Sequence, residues 1–167
     1  MTKIRMGFIG CGGNARGHLG RILDLKECEI VSLCDNSKES IDMAKNQYDI
    51  ANLPAFTDFE EMLVEVEMDA VQISTPHTLH FDQIMACLEK GLHVLCEKPM
   101  VCTVDHAHQV LEKHRESGKV LMISYQRHLE AQYRYVRNQI AAGELGDIQF
   151  ISALQDQAWY RGTMGLW

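Results

Sequence analysis

Gly10, Gly12 and Ala15 fall in the order G-x-G-x-x-A, directly behind the apolar stretch Ile4 to Ile9. One acid, Asp35, follows the next apolar stretch, Glu29 to Cys34, and stands 20 residues past Ala15. A strand, a glycine loop, a helix, a second strand and an acid in that order suit the binding of a dinucleotide. Gly10 permits a tight turn off the strand, Gly12 lets the backbone approach a pyrophosphate, and Ala15 is small enough for close helix–strand packing. The helix then points unpaired N–H groups and a partial positive charge at the phosphates. Asp35 is placed to accept hydrogen bonds from an adenosine ribose.

Elements that would carry such a groove alternate along the chain. Ser37 caps a helix reaching Tyr48, and Leu53 to Phe56 reads as a short strand whose proline assigns it to an edge. Thr57-Asp58-Phe59-Glu60 is a capping box opening a helix through about Val66. Ala70 to Ser74 is the fourth strand, and a helix from Leu79 to Lys90 is closed by Gly91. His93 to Cys96 is the fifth strand. Thr103 caps a helix to about Glu116, Gly118 stops it, and Val120 to Ser124 is the sixth strand. This pattern predicts an α/β fold, a doubly wound parallel sheet complete within residues 1–124. Residues 125–167 hold one more helix, Leu129 to Ala142, and a strand, Ile148 to Leu154. One helix and one strand cannot form a core by themselves, so this segment reads as the truncated start of an α+β second domain.

Composition narrows the partners. The chain has 167 residues, 46% of them hydrophobic, and a net charge of −7. That charge argues against a nucleic-acid or anionic-membrane partner, which calls for clustered Lys and Arg. Nothing approaches the roughly 20 consecutive apolar residues of a membrane span. Lys3 and Arg5 faintly mimic a signal peptide, but the stretch behind them runs into the glycine loop, so the expected location is cytoplasmic. The six cysteines include no C-x-x-C pair and read as reduced, mostly buried thiols.

Two further clusters fall where strands end: Ser74-Thr75-Pro76-His77-Thr78-Leu79-His80 and Glu97-Lys98-Pro99. With the glycine loop, these three ordered motifs resemble the Gfo/Idh/MocA family of NAD(P)-dependent oxidoreductases, which act mainly on sugars, inositols and related polyols. The stretches Tyr125 to His128 and Ala142 to Ile148 resemble that family's crossing into its second domain. The resemblance covers the whole chain, but only the first half of a typical member. It implies that Gly10, Gly12, Gly13, Asn14 and Ala15 form the pyrophosphate loop and that Asp35 binds the ribose, flanked by Asn36 and Ser37. Ser74, Thr75, Pro76 and His80 match the segment along the nicotinamide half. Glu97, Lys98 and Gln126 match positions around the nicotinamide ribose and ring. Lys98 is the expected catalytic residue, hydrogen-bonding the substrate oxygen and joining its proton relay. From the tripeptide alone it reads equally as the partner of a neighbouring carboxylate. Pro99 is a candidate for a cis peptide bond. An acid at position 35 without a following arginine favours NAD, with Lys38 leaving NADP as the alternative.

The resemblance also implies a catalytic His in the second domain, and nothing here matches it. The expectation is therefore a cofactor-binding chain that is inactive alone and whose full-length enzyme takes a small polyol or sugar; the oligomeric state stays open, with a homo-oligomer among the alternatives. A non-catalytic dinucleotide sensor is the alternative. A methyltransferase fits less well, since Phe8-Ile9 stands where such sites carry an acid. No metal is expected: His77 and His80 lack a third ligand and read as cofactor or substrate contacts. His18 reads as a packing or solvent-facing residue, and Trp159 and Tyr160 as neighbours of the substrate side.

Overall fold

The computed structural model describes residues 2–156, which divide into two compact units between Tyr125 and Gln126. The first unit holds six parallel strands: β1 (Ile4–Ile9), β2 (Cys28–Cys34), β3 (Ala55–Phe56), β4 (Ala70–Ile73), β5 (His93–Cys96) and β6 (Leu121–Ile123). Their order across the sheet is β3-β2-β1-β4-β5-β6. The order reverses between β1 and β4, and ligands of open α/β sheets bind at that switch point, beyond the strands' carboxyl ends.

The helices of this unit are α1 (Gly13–Leu23), α2 (Lys38–Tyr48), α3 (Phe59–Glu65), α4 (His80–Glu89) and α5 (Val104–Ser117). Strand alternation sorts them to two faces. Phe8 and Leu33 point toward Leu19 and Ile22 of α1 and Ile41 and Ala44 of α2. Val71, Ile73, Val94 and Cys96 point the other way, toward Met62 of α3, Ile84 and Leu88 of α4 and Val110 of α5. Strands covered on both faces read as nearly continuous apolar runs, which is how the sequence writes them. Gly20 brings α2 close to α1: a Cβ there would lie 2.7 Å from the Tyr48 hydroxyl, which donates to the Arg16 carbonyl at 2.6 Å.

Local chemistry sets the helix ends. Ser37 caps α2 by accepting from the Ser40 N–H, Thr103 caps α5 by accepting from the His106 N–H, and Gly91 and Gly118 close helices with positive φ. Two expectations are corrected. The α3 cap is Asp58, whose carboxylate accepts from the N–H groups of Glu60 and Glu61, so the helix starts one residue later than a Thr57 capping box requires. A carboxylate next to the helix N-terminus outcompetes the neighbouring hydroxyl through the helix dipole.

The second unit contains a 3-10 turn, Gln126–Leu129, and α6 (Ala131–Ala141), after which Gly143 takes φ 76°. Residues 148–156 are not a strand. A strand exists only through hydrogen bonds to a partner, and the described residues 126–156 hold none.

Candidate functional site

A groove of about 630 Å³ opens at the carboxyl ends of β1, β2 and β4, lined among others by Gly10, Gly12, Asp35, Asn36, Ser74 and Thr75. Gly10 leaves β1 at φ +96°, and a Cβ on it would come within 2.7 Å of the Ser74 carbonyl carbon and oxygen. Only glycine allows the β1 and β4 ends to approach that closely. Gly12 differs: a Cβ there would meet no protein atom within 4 Å. The space its side chain would take is left to a ligand, as a pyrophosphate site requires.

Gly12 also begins α1, with no side-chain cap and no acid in the first turn, unlike the capped α2 and α3. The first-turn N–H groups of Gly13, Asn14 and Ala15 thus belong to a helix end that no side chain of its own satisfies, the arrangement that receives anions. Ala15 is 1% exposed, packed where a larger residue would separate helix from sheet. Arg16 bridges the loop by donating from Nη1 to the Cys11 carbonyl at 3.1 Å. Arg16, a cation beside the glycine loop, is not among the residues that the motif spacing singles out.

Asp35 is fixed through both oxygens. Oδ2 accepts from the Cys11 N–H at 2.7 Å, and Oδ1 accepts from the Ser37 N–H at 2.8 Å. The carboxylate therefore ties the glycine loop to the end of β2 and stands in the groove with its position set in advance. Asp58 and Glu60 line the same groove, and no lysine or arginine does so among the described residues. Cys11 lies beneath the loop, its thiol pushed up to about 12 by burial and by the Asp35 charge. Cys11, Cys34, Cys87 and Cys96 are buried, Cys28 is half-buried and Cys102 is exposed, all as free thiols.

Beyond β4, the Thr75 hydroxyl donates to Gln83 Oε1 at 2.6 Å, and Ser74 Oγ accepts from Gln72 Nε2 at 2.9 Å. Pro76 is exposed beside them. Glu97 follows β5 and is 5% exposed. Its Oε1 lies 2.7 Å from His18 Nε2, and its Oε2 accepts from the Lys98 N–H at 3.2 Å. Burial pushes the Glu97 carboxyl up. Hydrogen bonding from His18, Asn14 and the Lys98 N–H outweighs it and holds the group below the usual carboxylate range. The Lys98–Pro99 peptide bond is cis.

A family model described as "Oxidoreductase family, NAD-binding Rossmann fold" matches residues 4–125. The chain belongs to this family, Gfo/Idh/MocA. It is 28% identical to D-glucoside 3-dehydrogenase of Escherichia coli over 91% of this chain and 43% of that protein. It is 31% identical to 4-carboxy-2-hydroxymuconate-6-semialdehyde dehydrogenase of a Sphingobium species, over 85% of this chain and 44% of that protein. Among solved structures, the WlbA dehydrogenase from Bordetella pertussis, in complex with NADH and UDP-GlcNAcA, matches with TM-score 0.79 and 29% identity. That match covers 86% of this chain and 43% of the other. The chain thus spans less than half the length of these relatives.

Two histidines of this Gfo/Idh/MocA chain make internal contacts that their sequence readings do not contain. His80 is 0% exposed, with Nδ1 at 2.8 Å from the Pro99 carbonyl and Nε2 at 3.0 Å from the Thr75 carbonyl. Both ring nitrogens lie within hydrogen-bond distance of backbone carbonyls, which makes the ring an internal tie between the two segments. His18 is neither solvent-facing nor simply packed, because it pairs with Glu97. Glu97 is held by internal partners through both oxygens, as Asp35 is. His77 is exposed, edge-on to His80 at 5.7 Å between ring centroids. Gln126 opens the 3-10 turn of the second unit. Trp159 and Tyr160 lie outside the described residues. No group of three metal-binding side chains occurs among the described residues, and no described helix is long and apolar enough to cross a membrane.

Proposed function

We propose that the groove binds NAD and that this chain supplies the cofactor-binding part of a dehydrogenase acting on a sugar, inositol or related polyol. The observation that carries the reading is the pre-set Asp35 carboxylate beside an uncapped helix end, with open space at Gly12. Asp35 is the ribose acceptor, and the N–H groups of the α1 first turn, with Arg16 beside them, take the pyrophosphate. A 2′-phosphate on the same ribose would meet Asp35, Asp58 and Glu60 without a cation in the groove lining, which supports NAD over NADP. The assignment of Gln126 to the nicotinamide ribose rests on the family resemblance.

The bound nicotinamide supplies hydride transfer. Lys98 hydrogen-bonds the reacting oxygen and passes its proton, while Glu97 holds the backbone at Lys98 in place. The polyol class is supported by the family and by relatives named for a glucoside or crystallised with a nucleotide sugar. The catalytic His that the family resemblance implies has no match in these residues, and for this chain by itself we assign binding without turnover. The test is a titration with NAD in the presence of inositol or glucose, reading binding by calorimetry and reduction by absorbance. Saturable binding with flat absorbance is expected. Turnover would overturn the assignment of inactivity, and absence of binding to a chain that melts cooperatively would overturn the site.

A further inference from the structure

The two residues flanking Lys98 are each gripped by a histidine, and the two histidines come from opposite faces of the sheet. On one face, His18 of α1 reaches the Glu97 carboxylate at 2.7 Å, with the two side chains only 16% and 7% exposed. The other oxygen of that carboxylate turns back onto the Lys98 N–H. On the other face, His80 at the start of α4 holds the Pro99 carbonyl through Nδ1 and the Thr75 carbonyl through Nε2. Glu97 and His80 are among the few buried polar residues of this unit, in a core otherwise built of apolar side chains. Buried polar groups of this kind are costly unless each is paired, and here both are paired to the same three-residue segment.

Carbonyl oxygens only accept. A neutral imidazole carries one N–H and satisfies one of the two His80 contacts, whereas the imidazolium satisfies both. His18 and Glu97 form a charge-assisted bond when the ring is protonated and an ordinary one when it is neutral. In either form the carboxylate stays oriented, because its second oxygen is bound to the adjoining backbone.

We infer that His18 and His80 form a two-sided clamp on Glu97 and Pro99 that fixes the backbone at Lys98, making both histidines positioning residues for the chemistry assigned to that lysine. This rests on the dehydrogenase reading of Lys98, although the clamp itself is a property of the chain without nucleotide. Reactive groups displaced by about 1 Å lose on the order of a hundredfold in rate, so a clamp at this point has a use that packing alone would not require.

The test reads Lys98 directly, in the chain without nucleotide. Amide hydrogen exchange of the Lys98 N–H is compared between wild type, His18→Leu and His18→Gln, with acetic anhydride labelling of the Lys98 amine scored by mass spectrometry. His18→Leu is expected to speed Lys98 exchange about tenfold or more while the β4 amides of Val71 and Ile73 change less than about twofold. The labelling rate of Lys98 shifts with it, and those of the exposed Lys38 and Lys90 stay constant. His18→Gln, which keeps an N–H donor near the position of Nε2, restores both values. His80→Asn, which keeps a donor toward Pro99 and loses the one toward Thr75, gives an intermediate effect. Unchanged Lys98 exchange and labelling in His18→Leu would overturn the clamp. So would acceleration shared equally by Val71 and Ile73, which would make the pair a general element of stability. A separate NADH titration on the wild type reports on the dinucleotide reading, so its failure and failure of the clamp are distinguishable.

Discussion

The Asp35 groove and the Lys98 segment after β5 are two ends of the candidate site built by different means. At the Asp35 end the groups facing the groove are main-chain N–H groups and one carboxylate, which ties to Cys11, 24 residues away, while the Ser74 N–H donates to the Ile9 carbonyl from the neighbouring strand end. At the Lys98 end the backbone is held by buried side chains that bridge 79 residues from His18 to Glu97 and 19 from His80 to Pro99. The first end is a turn whose glycine spacing is local in the chain, set against the end of β4 at Gly10. The second depends on helices from both faces arriving at one tripeptide. Affinity should therefore reside at the first end and alignment at the second.

The harshest way to break the first end is Gly10→Ala, which places a Cβ against the Ser74 backbone at φ +96°. A loss of about 3 kcal/mol in chemical denaturation is expected, and a loss under about 1 would show that the two strand ends tolerate separation. Asp35→Ala removes the proposed ribose acceptor together with its ties to the Cys11 and Ser37 N–H groups. NADH affinity should fall about 10- to 100-fold by calorimetry, the range for a charge-assisted hydrogen bond lost from a prepared site. The second end carries a pH signature. The folded Glu97 carboxyl sits below its usual range, so its pairing stabilises the fold above the unfolded value of about 4.3 and is lost as pH falls through the lower, folded value. Stability of the wild type should thus fall more steeply below about pH 4.3 than that of Glu97→Gln, measured by urea melts. A parallel fall in both proteins would remove Glu97 from the account. The smallest effect is Ser37→Ala beside the ribose site, which costs about 1 kcal/mol by deleting the α2 cap.

The same contrast explains what the sequence made legible. Gly10, Gly12, Ala15 and Asp35 were readable because a strand, a turn and a helix fix their separation, and spacing is what a sequence records. The doubly wound sheet was readable because each strand is a short apolar run between capped helices. Misreadings arose where the decision was not local. Thr57 and Asp58 are both able to cap α3, and only the helix register in three dimensions selects Asp58. Ile148 to Leu154 alternates like a strand, but strands need partners that pattern does not supply. His18 reads as a packing or solvent-facing residue because nothing near it in the chain announces Glu97. Arg16 was passed over for the same reason, its role becoming visible only once the loop carbonyl of Cys11 turned toward it.

Parallel titration of the purified chain with NADH and NADPH, wild type against Asp35→Ala, tests the central claim most directly. The account predicts saturable NADH binding, weaker NADPH binding, and loss of the NADH preference together with most of the affinity in the variant. A cooperatively melting wild-type chain that binds neither nucleotide, or an Asp35→Ala chain that binds NADH as well as the wild type, would contradict it.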